Sequence, residues 1–205
     1  MKNGTLIGAA CGALVVGALW TGVSALTQDA MEETSPEAAA MMEEWINANA
    51  PGDHHKLIAK LAGEWNAVAE FQMAPDAPPM VSQATQVSTM EFDGRYLKSI
   101  YESDFMGDPF TGVSFMGYDN AKKTFNSFWI DSMSTGMFLS AGTCNDAGNE
   151  WTLFGEMTDP AGQTVKAKHV ITINDDDNYT MKMYKSTPDA DGMIHEGTIT
   201  YTRSK

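Results

Sequence analysis

The sequence predicts an all-β protein. It would form an antiparallel sheet of about ten strands, closed into a single barrel or folded as a two-sheet sandwich, with one or two short helices in front. Three observations carry this. From Trp65 onward apolar and polar residues alternate with a period of two, the spacing of a strand with one buried face. Turn-forming clusters recur at intervals of roughly 8–12 residues, and no helical pattern long enough for a parallel crossover breaks the series. Gly63-Glu64-Trp65 opens the run and Tyr201-Thr202-Arg203 ends it. A sheet closing on itself would lay that guanidinium over that indole, a contact worth roughly 0.5–2 kcal/mol.

Residues 1–25 read as a signal peptide. Lys2 gives a positive start, Leu6 to Leu19 is continuously apolar or small, and Val23-Ser24-Ala25 is a small-x-small cleavage site. The competing reading is an uncleaved anchor, since Leu6 to Leu26 is just long enough to span a bilayer; Gly8, Gly12, Gly17 and Gly22 weaken it. Cys11 follows Gly8-Ala9-Ala10, without the large aliphatic residue expected before a lipidated cysteine. The expected destination is the periplasm or the exterior, with no membrane span after cleavage.

The mature chain divides into a linker and amphipathic helix (26–52) and a barrel domain (53–205). Ser35-Pro36-Glu37 is a helix start, with Ser35 as N-cap and Pro36 at the first helical position. Ala38, Met41, Met42, Trp45 and Ile46 then share one face, which calls for cover from the barrel or from a partner. Pro51-Gly52 ends this helix, and Asp53 caps a second, short one through Leu61. The first strand begins at Gly63-Glu64-Trp65; others are expected near 81–92, 95–105, 110–118, 123–131, 137–144, 150–157, 163–173, 178–186 and 194–203.

Charge and cysteine content exclude several functions. Loss of Lys2 from the 13 Lys and Arg leaves 12 against 27 Asp and Glu, a net charge of −15. Nucleic acid and anionic lipid both require clustered cations, so neither is an expected partner. Cleavage leaves Cys144 alone, so no internal disulfide forms and a packed core must supply the stability.

Several blocks together resemble the bacterial family called domain of unknown function 1579. They are His55-Lys56-Leu57 through Gly63-Glu64-Trp65, Met106-Gly107-Asp108-Pro109-Phe110, Gly117-Tyr118-Asp119-Asn120, Trp129-Ile130-Asp131-Ser132-Met133, the Asp159-Pro160 turn and Ile199-Thr200-Tyr201-Thr202-Arg203. The resemblance runs from the first helix to the end and implies a calycin, the lipocalin-like group of antiparallel barrels. Gly63, Trp65 and Arg203 would then close the barrel. It brings no activity and no catalytic residue.

Alternation nominates the lining of an interior site. Trp129 and Asp131 share a face with Phe125 and Ser127; a carboxylate there is either a ligand anchor, its pKa raised by burial, or a cap on the Ser132-Met133-Ser134-Thr135-Gly136 turn. Tyr118 shares a face with Phe110, Ser114 and Met116 and either offers its hydroxyl to a ligand or packs in the core. His169 sits among Val165, Ala167, Ile171 and Ile173, as a satisfied core histidine or as the axial ligand of a haem. His195 is the neighbour that would make a two-histidine site, which still lacks a third ligand for zinc. His54 and His55 point about 100° apart on a helix and form no site. Asp189-Ala190-Asp191-Gly192 lacks the flanking acids of a calcium loop. Met73, Met116, Met137, Met157, Met181 and Met183 fall at inward positions and suit either an adaptable apolar pocket or a loosely filled core.

The reading that follows is an exported barrel holding a small apolar molecule, lined by Tyr118, Trp129, Asp131, His169, Met181 and Met183, with no resident cofactor or metal. The alternatives are an enzyme using Asp131, Tyr118 or His169 as acid or base, haem on His169, and a solid envelope scaffold.

Overall fold

The computed structural model describes residues 35–72, 78–159, 161–187 and 192–205. The signal peptide, most of the linker, Met73, Pro160 and the Asp189–Asp191 turn lie outside the described residues. Two helices lead: α1 (Pro36–Ala48) and α2 (Asp53–Ala59). Ten strands follow: β1 (Gly63–Phe71), β2 (Met80–Glu91), β3 (Tyr96–Phe105), β4 (Asp108–Asp119), β5 (Thr124–Asp131), β6 (Phe138–Cys144), β7 (Glu150–Thr158), β8 (Thr164–Asp175), β9 (Asn178–Ser186) and β10 (Met193–Arg203). Each pairs antiparallel with the next, and β1 pairs with β10, so the sheet is one closed barrel rather than a sandwich.

Closure sits where the sequence places it. Trp65 and Arg203 are partners in the β1–β10 ladder, and the Arg203 guanidinium lies 4.1 Å from the indole centroid. Arg203 Nη1 donates to the Ala62 carbonyl at 3.1 Å, and Trp65 Nε1 donates to the Leu61 carbonyl at 3.0 Å. Both side chains therefore tie the segment that follows α2 to the seam. Gly63 has φ +131°, and a Cβ there would collide with Arg203 Nη1, so only glycine fits without strain.

The seam marks the barrel's closed end. α2 lies across it, with Ile58 and Leu61 buried beneath and Leu57 packed beside them. Trp65, Leu97, Phe125, Trp151, Leu153, Tyr179 and Tyr201 fill the lower interior. Tyr179 and Tyr201 stack at 4.1 Å, and Gln86 Nε2 donates to Tyr179 Oη at 2.8 Å and to Ser88 Oγ at 3.0 Å. Burial raises the pKa of both tyrosines, so this network is neutral. One buried donor, Trp151 Nε1, has no acceptor among the described residues.

α1 forms as expected, capped by Ser35 Oγ accepting from the Ala38 N–H at 3.2 Å. Its apolar face does not reach its own barrel. Every residue of the helix is exposed, Met41 at 71% and Trp45 at 64%. Asn120, in the β4–β5 turn, holds the helix exit through bonds to the Ala48 and Ala50 carbonyls at 3.0 and 2.9 Å.

Arg203→Ala removes the cation–π contact and a charge-assisted bond together, an expected loss of about 1–3 kcal/mol. Urea unfolding reads it directly, and an unchanged midpoint would contradict the closing role assigned to this residue.

Candidate functional site

Burial along the inward face changes from one end to the other. At the plugged end inward residues are sealed; at the other end Phe71, Ser82, Phe105, Phe110, Trp129, Phe138, His169 and Met183 point inward yet remain only half-buried. The upper lumen is thus open to solvent. β2 and β3 also part there: their ladder stops at Ala84 and Ser103. The gap forms a cleft of about 420 Å³ lined by Met80, Val81, Ser82, Gln83, Asp104, Phe105 and Met106. Met80, Ser82 and Phe105 are inward positions and Val81, Gln83, Asp104 and Met106 are exposed outward ones, so the cleft runs through the wall between the two faces. A second cleft, about 360 Å³, lies outside the plug beside Arg203 and Asp175 to Asp177.

An aromatic rim runs inward from the larger cleft. Phe105 meets Phe110 at 6.5 Å, Phe110 stacks on Trp129 at 6.3 Å, and Tyr101 meets both Phe110 and Trp129 edge-on at 6.1 and 6.3 Å. Trp129 and Phe138 are partners in the β5–β6 ladder, and Phe138 contacts the His169 ring at 4.9 Å. Inward glycines make room for these rings: a Cβ on Gly112, Gly155 or Gly197 would collide with Trp129, Phe138 or Phe71 respectively. Glycine within a strand marks such a close approach, and it is the signal by which Phe138, missed from the sequence, could have been found.

Asp131 fixes the pose of Trp129. Its Oδ2 accepts from Trp129 Nε1 at 2.8 Å, while Oδ1 accepts from the Met133 and Ser134 N–H groups at 2.9 and 2.8 Å. The turn-capping reading is the one observed. Burial pushes the carboxyl pKa up, but the bonds from Trp129, Met133 and Ser134 outweigh it and hold the group below the usual carboxylate range. The expected rise is therefore reversed.

His169 occupies the lumen wall on β8, opposite Met183 of β9 and Leu153 of β7. No described residue hydrogen-bonds its imidazole. Burial holds its pKa at about 4, with Glu196 pulling weakly the other way. The ring is uncharged at neutral pH and its nitrogens are unengaged by the described residues. Met181 lies one step deeper, paired with Ile171 and Ile199.

The remaining candidates fall elsewhere. Tyr118 belongs to the plug, with the His54 ring 4.1 Å and the Phe125 ring 4.8 Å away, and it joins neither Trp129 nor His169. His55 is buried and accepts from the Gly52 N–H at 3.0 Å. A bulge between His195 and Gly197 inverts the alternation, so His195 faces out, bonded to Thr198 Oγ1 at 2.9 Å, and the two-histidine site is not formed. The same bulge brings Glu196 against Lys185 at 2.6 Å, a partly buried ion pair at the mouth that the sequence pattern hid. Met116 is buried inside, whereas Met137 and Met157 are exposed. Burial pushes the Cys144 thiol up, away from a reactive thiolate. No cluster of three metal-ligating groups occurs among the described residues.

A ten-stranded antiparallel barrel plugged at one end is a lipocalin-like barrel in its fold. Residues 50–203 match the family described as Protein of unknown function (DUF1579), and the chain belongs to it. No curated protein matches the sequence. Similar solved structures include Rv2717c from M. tuberculosis, 11% identical, covering 76% of this chain and 100% of that one with a TM-score of 0.55. The S-type phycobiliprotein lyase CPES from Guillardia theta is 10% identical and covers 78% of this chain and 96% of its own at a TM-score of 0.50. At these identities the likeness is one of fold.

The depressed pKa of His169 has a measurable consequence. Between pH 6.5 and about 4 the unfolded chain binds a proton that the folded chain refuses. Stability is therefore full above pH 6.5 and falls as pH drops through that window. His55, also lowered chiefly by burial, acts in the same sense. His169→Gln should flatten the fall in urea midpoint between pH 6.5 and 5; a slope equal to wild type would contradict the assignment.

Proposed function

We propose that the protein is exported and that its open lumen binds a small, largely apolar and aromatic molecule without turning it over. The observation that carries this is the pairing of a half-buried upper lumen with a neutral His169 whose imidazole no described residue engages. Apolar rings and thioethers provide the walls, and one imidazole can donate to or accept from a single polar atom of the guest, the usual composition of a small-molecule pocket. Entry is through the mouth and the cleft between β2 and β3. Asp131 serves the site indirectly, by locking Trp129.

The three acid–base candidates do not converge. Tyr118 is in the plug, Asp131 is saturated by three donors at the rim, and His169 stands in the lumen wall. This arrangement favours binding over acid–base catalysis, which needs groups within hydrogen-bond reach of one reacting atom. Haem is the second ligand class, since a neutral imidazole among apolar side chains suits an axial ligand. It is tested by adding hemin and looking for a shifted Soret band that His169→Ala abolishes.

A fluorescent fatty-acid analogue is the first probe. Binding at micromolar affinity or tighter, about −8 kcal/mol, is expected. Trp129→Ala and His169→Ala should each weaken it at least tenfold while the circular dichroism of the barrel is retained. If neither the analogue nor hemin binds, the barrel is a scaffold.

A further inference from the structure

Two apolar surfaces of this chain lie uncovered, and they match. One is the Met41, Met42, Trp45 and Ile46 face of α1. The other is on the outside of the barrel, away from the lumen. Ile100 pairs with Val113, Phe115 with Phe128, and Phe128 with Leu139, while Phe154 lies across from Ala141. All are outward positions, so they form one continuous apolar band over β3 to β7. The Phe115 and Phe128 rings stack at 5.2 Å, and Leu139 and Phe154 are 59% and 54% exposed. A contiguous patch of this kind marks an interaction surface.

Size and charge select the occupant. The 13 residues of α1 span about 20 Å, and five strands at about 4.8 Å spacing cover about 19 Å. α1 carries Glu37, Glu43 and Glu44 and no cation. In a chain of net charge −14, cations nonetheless border the band. Lys98 pairs with Phe115 and Lys168 with Phe154 in the ladders, and Lys123 stands in the β4–β5 turn. Lys168 also covers the Tyr184 ring at 4.1 Å. Glu156, beside Leu139, is opposed by Lys166 in the next ladder. Asn120 pins the helix exit and no residue of α1 is buried against its own barrel, so a second molecule supplies the cover.

We propose that this chain forms a two-fold dimer in which α1 of each copy lies on the outer β3–β7 band of the other. The contact is made twice, and both lumens stay open. An isologous exchange of this kind closes on itself and builds no filament.

The test is sedimentation equilibrium of the chain, expressed with its whole N-terminal segment and purified in the form the cell leaves. A concentration-dependent dimer is expected, weakened by added salt. Trp45→Asp and Leu139→Asp, each confirmed folded by its thermal midpoint, should raise the dissociation constant at least tenfold. Mixed one to one, the two variants retain one sound helix and one sound band between them, so they should associate more tightly than either does alone. A wild type that stays monomeric overturns the proposal. Concentration-independent protection of α1 from hydrogen exchange would then place the helix on its own barrel, and an unprotected helix would assign the face to a different partner. A dimer unaffected by both substitutions also overturns it.

Discussion

The Trp65–Arg203 contact is the constraint on which the rest of the structure depends. A sheet of ten strands has two edges until the first and last strands pair, and exposed edges invite association with other chains. Here the seam is sealed by the β1–β10 ladder and locked at one end by a guanidinium that stacks on the indole and bonds to Ala62. Because Trp65 also holds Leu61, the lock and the plug are a single unit. The segment joining α2 to β1 is held at the barrel end by bonds from both closing residues. Gly63 has no side chain because the guanidinium occupies that space.

From that end the interior grades from solid to open. The lower third is packed with large rings and a neutral Tyr–Gln–Ser network, a satisfied polar cluster that fixes side-chain positions without introducing charge. Higher up, glycines replace bulk beneath Trp129, Phe138 and Phe71, and the rings lie back against the wall instead of across the lumen. Charge enters at the mouth, where Lys185 and Glu196 pair. A guest would thus meet polar groups first, aromatic walls next, and the His169 imidazole deeper in.

Most of the fold was legible in the sequence because a period of two is a direct consequence of pleating. Strand bounds, the Ser35 cap and the closing pair all follow from local rules acting on neighbouring residues. The failures share a cause. Strict alternation back from Ile199 puts His195 on the inward face, and one bulged residue inverts the count. Tyr118 does face inward, but alternation gives a residue's face and not its height along the barrel, so grouping it with Trp129 joins a residue of the plug to one at the open end. Of the two readings of Asp131, the turn cap is the one that forms, and the indole of Trp129 adds a third donor that local sequence rules do not reveal. Phe138 was missed because its importance rests on Gly155 of the next strand, a proximity invisible until register is known. The outer apolar band was hidden for the same reason, being assembled from five strands.

The central claim is that a sealed end leaves the lumen accessible from one side only. Paramagnetic relaxation enhancement from a spin-labelled fatty acid tests it most directly, read by NMR on the methionine methyl and tryptophan indole signals. The account predicts strong broadening at Met183 and Trp129, less at Met181, and none at Trp65 beneath the plug. Broadening at Trp65 equal to that at Met183, or confined to the outer wall, would contradict it.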